Sequence, residues 1–200
     1  MNRRKAIGRI ILAGIGGTLA FGGYKWYEEN KTPDLAWLAL NKDLLAALAD
    51  TIIPPTVSPD ARGFPTPPGA RAAGVQDFMI TLLKDCTDRR SLNNFIDGLK
   101  DLQSYCRSNH HAPFTRCSEA DRISTLTYFE QKGRPHSGIW GKAETRYLGK
   151  PFFMTLKEYT VIAYCTSEQG ATHGLAYVPV PVNYHGCISL QPGQPAWATK

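Results

Sequence analysis

One stretch limits what this chain can become more than any other: PFFMTLKEYTVIAYCTSEQG, from Pro151 to Gly170. Proline suits the first helical position and glycine the position just past a helix end, so together they bound a helix. Between them Phe152, Leu156, Tyr159 and Ala163 fall at i, i+4, i+7 and i+11, which is one face of a helix. From Val161 to Cys165 the polar side disappears, which predicts a second half enclosed by other segments. A helix of that kind belongs inside a bundle, so the rest of the chain must supply its partners. Its exit, Thr166 to Thr172, is polar and built of small residues.

Those partners are legible. Asn41 is placed to cap a helix running to Ile53, with Leu44, Leu45, Leu48 and Ile52 on one face and Pro54-Pro55 as its stop. Pro54 to Gly69 holds six prolines and excludes regular structure; Ala70 to Gly74 adds a turn. Val75 to Cys86 reads as a helix through Phe78, Met79, Leu82 and Leu83, and Ser91 to Tyr105 as another through Leu92, Phe95, Ile96, Leu99 and Leu102. Ser118 with Asp121 three residues later opens a helix to Lys132 that carries Ile123, Leu126 and Phe129. Gly133 to Gly149 reads as a loop with Trp140 exposed or docked, and the proline-bearing Tyr177 to Lys200 as an extended tail wrapping the body. The fold class is all-α: a small irregular helical bundle with Pro-rich loops and an extended C-terminal tail, preceded by an N-terminal signal or anchor helix. Residues 1–27 form that leader, 28–40 a linker, and 41–200 the helical domain.

The leader pairs a basic start with a Gly-rich apolar run from Ile10 to Tyr24. Fifteen residues make a helix of about 22 Å, short of a hydrocarbon core of roughly 30 Å, so the run reads as a signal sooner than a span. Arg3-Arg4 fit a twin-arginine export signal, with Asn2 and Lys5-Ala6-Ile7 departing from its usual flanks. Ala20-Phe21-Gly22 offers a weak cleavage triplet, while Trp26 and Tyr27 suit a headgroup boundary, so cleavage and retention as an anchor both stand. Gly14-Ile15-Gly16-Gly17 has Leu19 where a dinucleotide fingerprint needs its third glycine. The net charge of +6 owes five positive charges to Arg3, Arg4, Lys5, Arg9 and Lys25, leaving 18 basic against 17 acidic residues in the body. That balance removes the main support for nucleic-acid binding.

Five cysteines, Cys86, Cys106, Cys117, Cys165 and Cys187, suit disulfides in an exported protein and leave at least one unpaired. Cys106 and Cys117 make the simplest local pair, expected to form late, because a twin-arginine substrate folds in a reducing compartment. There is no C-x-x-C, H-E-x-x-H or C-x-x-C-H, so neither a metal site nor haem attachment is indicated. His110-His111 read as a solvated loop pair, and a Cys/His site around His173, His185 and Cys187 is a minor alternative. No G-x-S-x-G elbow exists, and Ser167-Glu168 with His173 reads as capping before it reads as a triad.

Several stretches together resemble one family. Asp50-Thr51-Ile52-Ile53-Pro54, Gly69-Ala70, Ala73-Gly74-Val75, Phe153-x-x-Leu156-Lys157-Glu158, Thr166-Ser167-Glu168-x-Gly170-Ala171, Pro179-Val180-Pro181, Tyr184-x-Gly186-Cys187 and Ala196-Trp197 look like the gluconate 2-dehydrogenase subunit 3 family, over about residues 40 to 198. The resemblance implies a small, non-catalytic subunit with no cofactor of its own. It implies a large partner subunit that holds FAD, and a multihaem cytochrome c subunit. It further implies passage through the twin-arginine translocase and a periplasmic place at the inner membrane. Pro54 to Gly74 and Tyr177 to Trp197 are the contact surfaces this reading expects. The competing readings are a stand-alone exported enzyme using Glu168, His173 or Cys165, and a membrane-anchored structural protein.

Overall fold

The computed structural model describes residues 31–56, 66–176, 187, 189, 196 and 197. The leader with Arg3 and Arg4, His185, and most of the C-terminal tail lie outside the described residues. Among the described residues seven helices carry the fold: α1 (Leu35–Leu40), α2 (Lys42–Ile52), α3 (Val75–Asp85), α4 (Arg89–Asn109), α5 (Glu119–Lys132), α6 (Ile139–Leu148) and α7 (Phe152–Thr166). A 3-10 turn (Phe114–Arg116) precedes α5, and a π-type turn (Gly170–Gly174) follows α7. Among the described residues the one β-type pairing is an isolated parallel bridge between Ala176 and Trp197, where Ala176 N donates to Ala196 O at 2.7 Å.

Local chemistry accounts for most boundaries. The Ser118 hydroxyl oxygen accepts from Asp121 N at 3.2 Å while its O–H donates to the Asp121 carboxylate at 2.6 Å, which fixes the start of α5. Asp88 caps α4 by accepting from Ser91 N at 3.1 Å. Burial pushes the Asp88 carboxyl up, but the hydrogen bonds from Ser91 and Arg90 outweigh it and leave the group below its usual range. Asn41 joins α1 to α2 differently from expectation. Its carbonyl starts α2, but its side chain donates back to Trp37 O at 2.8 Å and accepts from Gln103 at 3.3 Å instead of capping α2.

α7 is the hub, packing against α2, α3, α4 and α5. Leu156 is fully buried on it, and Phe152 meets Phe95 of α4 at 5.4 Å and Phe129 of α5 at 5.9 Å between ring centroids. Leu45, Leu48, Met79, Leu83, Leu99, Leu102 and Phe114 close the core around it with no exposed surface. Gly98, in the middle of α4, makes the α4–α7 approach possible. A Cβ there would lie 2.3 Å from Phe152 Cβ.

Four further expectations change. Residues read as linker contain α1, held by Asp34, whose side chain accepts from Trp37 N at 2.9 Å, and by the fully buried Leu38. The stretch Gly133 to Gly149, read as loop, contains α6; Gly138 and Gly149, both at positive φ, bound a helical segment that lacks a strong inward stripe. α7 ends at Thr166, four residues short of Gly170, because Ser167 takes an extended backbone (φ −72°, ψ 149°) and its hydroxyl closes on Tyr164 O. Finally, its second half is not enclosed: Val161 is 44% and Ile162 39% exposed, although Ala163 and Tyr164 are buried. Among the described residues no helix is long and apolar enough to cross a membrane.

Candidate functional site

The densest polar cluster lies where α4, the 3-10 turn and α5 meet. Cys106 Sγ lies 3.9 Å from Thr125 Oγ1, Thr125 Oγ1 lies 3.2 Å from His110 Nε2, and His110 Nδ1 lies 3.3 Å from Asp121 Oδ1. Cys117 Sγ donates to Pro113 O at 3.4 Å. Burial pushes the Cys106 thiol up to about 11, and the neighbouring Cys117 and Asp121 add to the rise while Thr125 opposes it. The fold therefore brings Cys106 and Cys117 side by side, both buried and both as free thiols. A thiol, an imidazole and a carboxylate in one row suggest nucleophilic catalysis, but Thr125 separates sulfur from imidazole. A reactive cysteine also needs an exposed, stabilised thiolate, and Cys106 has the opposite surroundings. What the row does is tie α4 to α5. His110 is part of that tie, which corrects the reading of His110-His111 as a solvated pair; His111 alone is exposed, at φ 52°.

The exit of α7 is the second place where chemistry was considered. Ser167 Oγ donates to Tyr164 O at 2.7 Å and accepts from Gly170 N at 2.9 Å, so its hydroxyl closes the helix end. Thr172 donates to Glu168 O at 2.6 Å and sits 2.9 Å from His173 Nδ1. Glu168 and His173 are exposed and Cys165 is half-buried. Gly174 lies against the Tyr164 ring, whose hydroxyl donates to Pro68 O at 2.9 Å. Tyr164 thus seats the end of the Pro-rich segment 54–69 on the helix, and the exit's polar groups are engaged in turns.

Two clefts lie against the core helices. One of 370 Å³ lies between the end of α2 and the start of α5, beside Asp50, Glu119 and Arg122. Asp50 accepts from Arg71 N at 3.3 Å, and Arg122 donates to Phe114 O at 3.2 Å and Thr115 O at 2.7 Å, so these charges hold the backbone in place. The other, of 250 Å³, opens at the start of α7 beside Asp97, Asp101 and Lys132. Among the described residues no group of three or more His, Cys, Asp or Glu is placed to hold a metal ion.

The feature that sequence reasoning missed is a surface. Ile139 and Trp140 of α6 are 84% and 80% exposed, with Tyr147, Leu148 and Met154 exposed nearby. Trp140 and Tyr147 at i, i+7 were a visible signal, obscured by the glycines around them.

These features define a class: a small all-α bundle whose buried polar groups serve helix ends and helix contacts, with large apolar side chains left on its outside. The particular family follows from the sequence. Residues 39–183 match the family model described as gluconate 2-dehydrogenase subunit 3, and the chain belongs to that family. No curated protein and no solved structure matches it.

Proposed function

We propose that this chain is the non-catalytic small subunit of a membrane-associated, FAD-dependent dehydrogenase complex, and that it supports folding and export of the large flavoprotein subunit. The carrying observation is the family match over residues 39–183, which makes the chain one subunit of a dehydrogenase complex. Arg3-Arg4 ahead of a short apolar run adds the export route, because a twin-arginine signal on one subunit moves a folded pair. FAD and haem c belong on the partner subunits in this reading, and the complex works in the periplasm at the inner membrane. The engagement of Ser167, His110, Asp121 and Cys106 in structural contacts supports a supporting role for this chain.

The test is co-expression with a candidate large flavoprotein dehydrogenase subunit from the same genome. Active flavoprotein is expected in the periplasm with the intact chain and in the cytoplasm with Arg3→Lys/Arg4→Lys. Periplasmic activity without this chain would sink the proposal.

A further inference from the structure

In a helix laid on a bundle, large apolar side chains face inward and polar ones outward. α6 is reversed. Gly141 is buried and Ala143 and Thr145 are half-buried, while Ile139 and Trp140 are the most exposed apolar side chains of the helix. Ten residues with a glycine among them are too few to hold a helix by local hydrogen bonds alone. Among the described residues, its C-terminal turn is tied to the body where Arg90 Nη1 donates to Tyr147 O and Asn94 Nδ2 to Leu148 O, both at 2.7 Å, and where Lys150 N donates to Ser91 Oγ at 2.8 Å. A helix with Ile and Trp turned to water calls for a cover.

Charge says what kind of cover fits. Of the 23 Lys and Arg, five lie in 1–27 and five, Lys132, Arg134, Lys142, Arg146 and Lys150, lie in 132–150 against the single acid Glu144. The rest of the chain has 13 basic and 16 acidic residues, so the positive charge of the body is concentrated on the segment that carries α6, where Lys150 is already paired with Glu158 of α7 at 2.7 Å. Shape adds a second constraint. A groove of 560 Å³ runs beside the helix past Gly141, Thr145 and Met154 of α7, and Val161 and Ile162 stand about two turns further along the same exposed side of α7. A protein ridge fills such a groove, whereas a lipid surface does not. Tryptophan and arginine are also the side chains that most often anchor protein interfaces.

We propose that the outer face of α6, with the adjoining exposed side of α7, is the docking surface for the large dehydrogenase subunit, which meets it with an apolar ridge rimmed by carboxylates. This rests on the subunit reading above. It places the contact in a segment other than Pro54–Gly74 and the C-terminal tail.

The experiment uses the tagged full-length chain co-expressed with a candidate large flavoprotein subunit from the same genome, comparing wild type, Ile139→Asp/Trp140→Asp, and the control Leu40→Asp at the 85% exposed end of α1. Circular dichroism and Tm of the three chains are expected to agree, since the altered side chains are exposed. Wild type and Leu40→Asp should recover the flavoprotein equally, and the double variant at least tenfold less. Equal recovery by the double variant overturns the docking face and leaves the subunit reading intact; no recovery by wild type overturns both. Two further outcomes overturn the proposal. One is loss of binding to phosphatidylglycerol vesicles by the double variant with flavoprotein recovery unchanged. The other is a self-dimer of the wild-type chain that the double variant abolishes without changing recovery.

Discussion

Cys106 carries a charge-free thiol at the junction of α4 and α5, and its surroundings decide its chemistry. Burial keeps it protonated up to about pH 11, well above the 9.0 of an exposed thiol. A group whose folded pKa is raised contributes stability that is complete below its unfolded pKa and is lost as pH rises through the folded one. Chemical denaturation should therefore show the wild type losing stability between pH 9 and about 11, with Cys106→Ala lacking that component of the pH dependence. The same burial sorts the five thiols by reactivity. Titration of the native chain with a thiol reagent at pH 8 should modify the exposed Cys86 and Cys187 first, with Cys106 and Cys117 reacting only after unfolding. Fast labelling of Cys106 in the folded protein would contradict this placement.

At the level of elements, Gly98 reverses what helix propensity alone would say. Alanine in place of glycine inside a helix normally stabilises by about 1 kcal/mol. Here the added methyl would sit 2.3 Å from Phe152 Cβ, close to the α7 backbone, where no flexible side-chain end can swing aside. Overpacking of this kind costs about 1–3 kcal/mol. Gly98→Ala should lower stability by chemical denaturation, and a gain would mean that α4 and α7 pack less closely than described. Gly149 serves the α6–α7 junction in another way. Its φ of 83° lets the turn pass against Ser91 N and the Asn94 side chain, so the carbonyls of Leu148 and Lys150 both meet Asn94. Helix starts were legible at Ser118 because cap and first turn are neighbours in sequence. α6 was not, because its glycines and outward apolar residues imitate a loop.

For the whole molecule, a hub helix packed against four others implies uneven resistance to opening. α2, α3, α4, α5 and α7 share one core, whereas α6 is attached mainly through its C-terminal turn. Among sites in the described helices, brief trypsin treatment of the free chain should cut at Lys142 and Arg146 before any site in α4 or α7. Early cleavage within α4 would show that the core is not the cooperative unit described. Protection of Lys142 and Arg146 in the presence of the flavoprotein would match the docking face. The family match, from the last two residues of α1 through the turn after α7, spans this core apart from Leu38.

The sequence by itself determined the helical class, the position of most helices, the hub role of the stretch after Pro151 and the family. Period, caps and prolines act over a few residues, so a linear reading finds them. Tertiary structure alone decided which faces are inside. The apolar run Val161 to Cys165 looked enclosed, yet Val161 and Ile162 face outward, because enclosure depends on elements tens of residues away that cover only one side of α7. The same holds for Gly98 against Phe152, for His110 against Thr125, and for the outward Ile139 and Trp140: each is settled by what packs, or does not pack, against it across the fold.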